Sequence, residues 1–125
     1  RMAFNIVART QDDHVKNIAF LMDPAGNWSL SPAFDMTYSY NPAGRWTSTH
    51  QMALNGRRED VVADDCTACE KAIAMQRGRG LEILEEVQQA VLQWPEFASA
   101  AGVPANTFRQ IATAHHTDIS LRAIG

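Results

Sequence analysis

The sequence predicts a mainly helical α+β fold with one small β-hairpin. Three observations carry this. Residues 61–125 place apolar side chains at helical spacing, as in Leu84, Val87, Val91 and Trp94. Residues 1–60 are irregular and turn-rich, with two short apolar runs facing each other across Asp23-Pro24-Ala25-Gly26-Asn27. The chain has 125 residues, 46% of them hydrophobic and 20% charged, which suffices for one folded core and excludes wholesale disorder.

The elements follow in order. Met2 to Ala8 reads as a buried helix, and Thr10 to Lys16 as a polar loop. Ile18-Ala19-Phe20-Leu21-Met22 is an apolar run of buried-strand length. In the turn that follows, Pro24 presets φ and Gly26 supplies a positive φ. Trp28-Ser29-Leu30-Ser31 alternates as a half-buried strand does, completing the hairpin. Asn41-Pro42-Ala43-Gly44 marks a loop. Val62, Cys66, Cys69 and Ile73 then form the apolar stripe of a helix, with Asp64 and Asp65 suited to its N-terminus. Gly78 and Gly80 interrupt the pattern, and a second helix runs to a stop at Pro95. Phe108, Ile111, Ala112 and His115 define a third, with Pro104 in its first turn.

Charge and length exclude several classes. Eleven Lys+Arg against fourteen Asp+Glu leave a net charge of −3, so no basic surplus supports a dedicated polyanion binder. No apolar run approaches the roughly 18 residues of a membrane span. The apolar opening is short and meets Arg9, Asp12 and Asp13 at once, unlike a secretory signal. Two cysteines make no disulfide framework, so the expected compartment is a reducing cytoplasm. An opening as apolar as Met2 to Ala8 leads us to expect a chain that begins inside a longer protein.

Chemistry concentrates in Asp12-Asp13-His14-Val15-Lys16-Asn17. An Asp and an Asn five residues apart in one polar loop suit phosphoryl transfer. The carboxylate accepts the proton of an attacking hydroxyl, and the amide oxygen coordinates Mg²⁺. A second hard oxygen must come from a nearby strand end, and Asp35 stands just past the hairpin, after Ala33-Phe34. Spacing alone also fits a solvated turn whose Asp and Asn make local backbone bonds.

The motifs together resemble the C-terminal kinase lobe of the HipA family, the serine/threonine-kinase toxins of bacterial type II toxin–antitoxin systems. The family pattern is an Asp-x-His-x-Lys-Asn loop, a short hairpin and a Pro-x-Tyr/Phe-Asp metal segment. Asp12, His14, Lys16 and Asn17, then Pro32, Phe34 and Asp35, occupy its fixed positions. His50-Gln51-Met52 and Asn55-Gly56-Arg57-Arg58 resemble the segment that follows, and the likeness extends over essentially the whole chain.

The resemblance implies the C-terminal lobe of a protein-kinase-like fold. Residues 1–60 would form its catalytic-loop and metal-hairpin segment, and residues 61–125 a helical subdomain. It implies Asp12 as catalytic base, and Asn17 and Asp35 as ligands of Mg²⁺ beside bound ATP. His14 and Lys16 fall with Asp12 among the catalytic motif positions. Lys16 would offset negative charge near the phosphates, and His14 either braces the loop or is purely structural. Further implied are a Ser or Thr substrate in a translation protein of the aminoacyl-tRNA synthetase type, and a helix-turn-helix antitoxin through which DNA is met only indirectly. The family's N-terminal nucleotide-binding lobe has no counterpart here: Gly78-Arg79-Gly80 is too short and misplaced to cover phosphates.

Three competing readings remain open from the residues. A detached helical lobe could bind the antitoxin, or a separate N-terminal chain, without doing chemistry. Cys66-Thr67-Ala68-Cys69 could hold zinc or act as a redox dithiol, or simply fill the core. Tyr38, Tyr40, Arg45, Trp46, Arg57 and Arg58 could contact nucleic acid, line the catalytic cleft or sit in a solvated loop.

Overall fold

The structure, a computed structural model, describes residues 1–119. Residues 120–125 of the expected helical region lie outside them. The described part is mainly helical with one antiparallel hairpin. Helix α1 spans Met2–Val7, and a single 3₁₀ turn covers Val15–Asn17. Strands β1 (Phe20–Met22) and β2 (Trp28–Leu30) form the hairpin. Helices α2 (Ala63–Ala72), α3 (Arg79–Val91), α4 (Trp94–Ala100) and α5 (Ala105–Ala114) follow.

The core lies where α1, α2 and α3 meet. Val7, Ala63, Cys66, Leu84 and Val91 form one buried cluster, with Phe4, Leu54, Leu81 and Val87 packed against it. The predicted α3 stripe holds: Leu84 and Val91 are buried and Val87 joins from the edge. Helices α2 and α3 approach closely because of Gly80, where an added Cβ would lie 2.8 Å from the carbonyl oxygen of Cys66. The junction is fixed by Glu70, whose two carboxylate oxygens accept the N–H groups of Gly78 and Gly80, each at 2.9 Å. Those bonds, Gly80's first, hold the Glu70 carboxyl below its ordinary range. They also satisfy donors that the start of α3 would otherwise leave orphaned.

Four expectations need correction. Neither strand is buried: all six residues of β1 and β2 are exposed, because the strands pack mainly on one another. On α2, Val62 and Ile73 are exposed and the inward face is Ala63, Cys66 and Glu70. Val62 is the N-cap, and the α2–α3 turn claims the side around Glu70. Pro95 does not end the second helix but opens a separate one, α4, in whose first turn its missing N–H costs nothing. The Thr10–Lys16 loop is not a solvated turn throughout, since Thr10, Gln11 and Asp13 are buried.

The hairpin turn follows its chemistry. Gly26 has φ +88°, and Asp23 accepts the Asn27 backbone N–H and side-chain amide at 2.9 Å each. The register pairs Phe20 with Leu30, Leu21 with Ser29 and Met22 with Trp28.

Candidate active site

The loop after α1 is positioned by polar bonds to distant segments. Arg9, at φ +59°, turns the chain out of the helix. Its guanidinium donates to the Ala114 carbonyl at 2.8 Å and lies 4.4 Å from the centre of the Tyr40 ring. Ser39 then fixes the approach to Asp12: its hydroxyl accepts the N–H groups of Gln11 (2.8 Å) and Asp12 (3.0 Å). Its own N–H donates to the Arg9 carbonyl at 3.1 Å.

Asp13 anchors the middle of the loop. Its side chain is fully buried, with one oxygen 2.9 Å from His50 Nδ1 and the other accepting the Gln51 N–H at 2.7 Å. Residue 50 is itself held by the Arg58 backbone, the two exchanging an N–H and a guanidinium bond to carbonyls. The loop therefore presents Asp12 outward while Asp13 points in. Asp12 is exposed.

Asn17 closes the loop. The 3₁₀ turn runs from the His14 carbonyl to the Asn17 N–H at 3.0 Å, and the Asn17 amide nitrogen donates to the Asp12 carbonyl at 3.0 Å. That bond orients the side chain and leaves its oxygen for another partner. Asp35 arrives from the far side of the hairpin at φ +54°, a left-handed conformation uncommon outside glycine and stored most often at functional sites.

His14, Asn17 and Asp35 line one cavity of about 70 Å³, with Asp13, Asn5, Thr10 and Phe34 among its other walls. The volume accommodates an ion with a little water rather than a nucleotide. Asp12 and Lys16 are not among its lining residues; both are exposed on the same loop. His14 contributes a buried Nδ1 with no partner, so the bracing of the loop falls to Asp13.

The donor set fits a hard cation. Asn17 offers an amide oxygen and Asp35 a carboxylate in one small cavity, and Mg²⁺ needs few protein ligands beside phosphate and water. Among the described residues, no group of three or more His, Cys, Asp or Glu side chains is arranged to hold a metal by itself.

Of the other candidates, the cysteines pack into the fold, whereas Arg45, Trp46, Arg57 and Arg58 stay exposed. Cys66 is buried in the core, where burial raises its thiol pKa, and Cys69 is partly buried. Arg57 lies 3.3 Å from the buried Asp65 carboxylate, and Arg45 stacks 4.7 Å from the Trp46 ring. Sequence reasoning missed Ser39 and the role of Asp13. A lone serine 27 residues from Asp12 gives no spacing signal. The pairing of Asp13 with His50 was foreshadowed only by His50 standing in a recognisable motif.

The loop, the hairpin and the Asp-bearing turn make this a domain of the class that pairs an Asp/Asn loop with an aspartate just past a short hairpin. The chain belongs to the HipA-like C-terminal domain family, whose match covers residues 1–113. That family is associated with kinase activity and with toxin–antitoxin systems. No curated protein and no solved structure matches the chain. Among the described residues, no helix is long and apolar enough to cross a membrane.

Proposed function

We propose that this chain is the C-terminal catalytic portion of a HipA-like kinase that transfers the γ-phosphoryl group of ATP to a serine or threonine hydroxyl. The observation that carries the reading is the convergence of Asn17 and Asp35 on one small cavity, with the Asn17 amide tied to the backbone of Asp12. A bound Mg²⁺, held by Asn17 and Asp35, would neutralise phosphate charge during transfer.

Each protein group then has a defined task. The Asp12 carboxylate takes the proton of the substrate hydroxyl as its oxygen bonds to the γ-phosphorus and the bond to the ADP oxygen breaks. Ser39 and Asn17 keep the Asp12 backbone in place. Lys16, exposed on the same turn, offsets phosphate charge. A cavity of this size holds no nucleotide by itself, so the adenine and outer phosphates need a second, N-terminal lobe. The family context supports a translation protein of the aminoacyl-tRNA synthetase type as substrate, a helix-turn-helix antitoxin as partner and the cytoplasm as the place of action.

The test is Asp12→Asn in the full-length protein. It keeps the side-chain shape and removes the base, so turnover should fall about 10²–10⁴-fold while nucleotide binding persists. Asp35→Ala and Asn17→Ala should instead weaken Mg²⁺-dependent nucleotide binding, with effects that do not add. Near-normal turnover of Asp12→Asn would remove Asp12 from the role of base. A second reading, a non-catalytic docking lobe, is favoured by the exposed Phe20, Leu21, Met22, Trp28 and Leu30 of the hairpin. Full activity loss in Asp12→Asn excludes that reading.

A further inference from the structure

A second, larger cavity of about 410 Å³ lies between α1, the segment after Asp35, and helices α3 to α5. Phe4, Tyr38, Trp94, Phe97 and Ile111 supply most of its wall. Among the described residues, no Asp, Glu, Lys or Arg side chain lines it. Its aromatic wall is ordered: Trp94 stacks on Phe108 with ring centres 6.3 Å apart, and His115 sits edge-on to Trp94 at 5.7 Å and to Tyr38 at 6.4 Å.

Two polar side chains stand in this wall, His115 and Tyr38, and Thr10 lies against it. Burial lowers the His115 pKa, which favours the neutral ring. Thr10 is only 3% exposed and its Oγ1 has no hydrogen-bond partner, an uncommon state for a buried hydroxyl. Thr10 and Met36 also line the cavity of Asn17 and Asp35, so one wall separates the two sites.

We infer that the Phe4–Trp94–His115 cavity is a binding site for an uncharged, planar aromatic small molecule bearing a hydroxyl or similar hydrogen-bonding group. The volume falls within the range of small-molecule pockets, and the wall has the composition of one: mostly apolar, with a few convergent polar groups. Among the described residues no charged side chain lines the cavity, so an ionised ligand would find no direct ion-pair partner in its wall. The Trp94 ring, backed by Phe108 outside the cavity lining, favours a ring system over a branched aliphatic. The Tyr38 hydroxyl and the His115 ring give the ligand's polar group a partner. The inference does not depend on phosphoryl transfer.

The test titrates the chain with 2-naphthol by calorimetry, with circular dichroism confirming the fold of each variant. The unaltered chain should bind one equivalent saturably. Ala90→Phe, at an exposed helix position on the rim, should fill the cavity and weaken binding at least tenfold. Tyr38→Phe, which keeps the ring and removes the hydroxyl, should weaken it several-fold. Leu21→Ser, on the exposed hairpin, should leave it unchanged. No saturable binding, binding indifferent to Ala90→Phe, or binding lost in Leu21→Ser would each overturn the assignment.

Discussion

The loop-rich half and the helical half of this domain are held by different forces. Residues 61–119 pack Cys66, Leu84 and Val91 into an apolar core with α1, and Gly80 lets two helices close on each other. Residues 9–58 contribute little to that core. Their loops are located by long-range polar bonds: Ser39 to Gln11 and Asp12, Asp13 to His50 and Gln51, Arg9 to Ala114. Apolar contact is nondirectional, so it sets where a helix lies. Hydrogen bonds are directional, so they set which way Asp12 and Asn17 face. A site that needs fixed oxygen positions is therefore built in the polar half and seated on the apolar one.

The largest effect should come from the residue both halves share. Leu84 is 1% exposed at the junction of α1, α2 and α3. Leu84→Ala should cost about 2–5 kcal/mol through lost burial and the cavity left behind. Denaturant unfolding followed at tryptophan and at the helical signal should give one coincident, shifted transition. Two separated transitions would show that the halves fold independently and would break the comparison drawn above.

Asp13→Ala should act more locally. It strands the Gln51 N–H and the partner nitrogen of His50, at about 1–3 kcal/mol for buried groups left unpaired. Hydrogen exchange should accelerate at Gln11, Asp12 and Gln51 while the amides of α3 stay protected. If α3 loses protection to the same extent, the polar network supports the core as well as the loop.

These differences also explain what the sequence revealed. Helical periodicity made α3 legible, because burial on one helix face leaves a repeating signal at Leu84, Val87 and Val91; in α2 two of the four stripe positions are exposed, and no residue of α5 is buried. The break between α3 and α4 was not legible: a proline after an apolar stripe is read as a stop, yet here it occupies a first turn. Asn17 and Asp35 were legible by chemistry and motif, and the fold brings them to one cavity. Ser39, Asp13 and the His50 contact were not, since a hydrogen bond between residues 27 or 37 positions apart carries no periodicity. Apolar composition also failed to give burial for the hairpin, because a strand's burial depends on what packs over it.

That hairpin should yield the smallest effect on stability. Leu21 is 53% exposed and Trp28 68% exposed, and neither belongs to the buried cluster. A two-stranded hairpin is marginal alone, so its geometry here rests on the turn bonds of Asp23 and on the Ser31 N–H to Ala19 carbonyl bond at 2.9 Å. Leu21→Ser removes little buried area and breaks no side-chain hydrogen bond. The change in unfolding free energy should stay within about 0.5 kcal/mol, the range of surface substitutions away from special features. Self-association should change little, because the pleat puts Leu21 with Ser29 on the face opposite the row of Phe20, Met22, Trp28 and Leu30. Denaturant midpoint and sedimentation measured side by side separate the two effects. A loss of more than 1 kcal/mol, roughly twice that surface range, would mean that the strands are covered in solution by a surface they lack here. The hairpin would then belong with the apolar half rather than with the polar loops it joins.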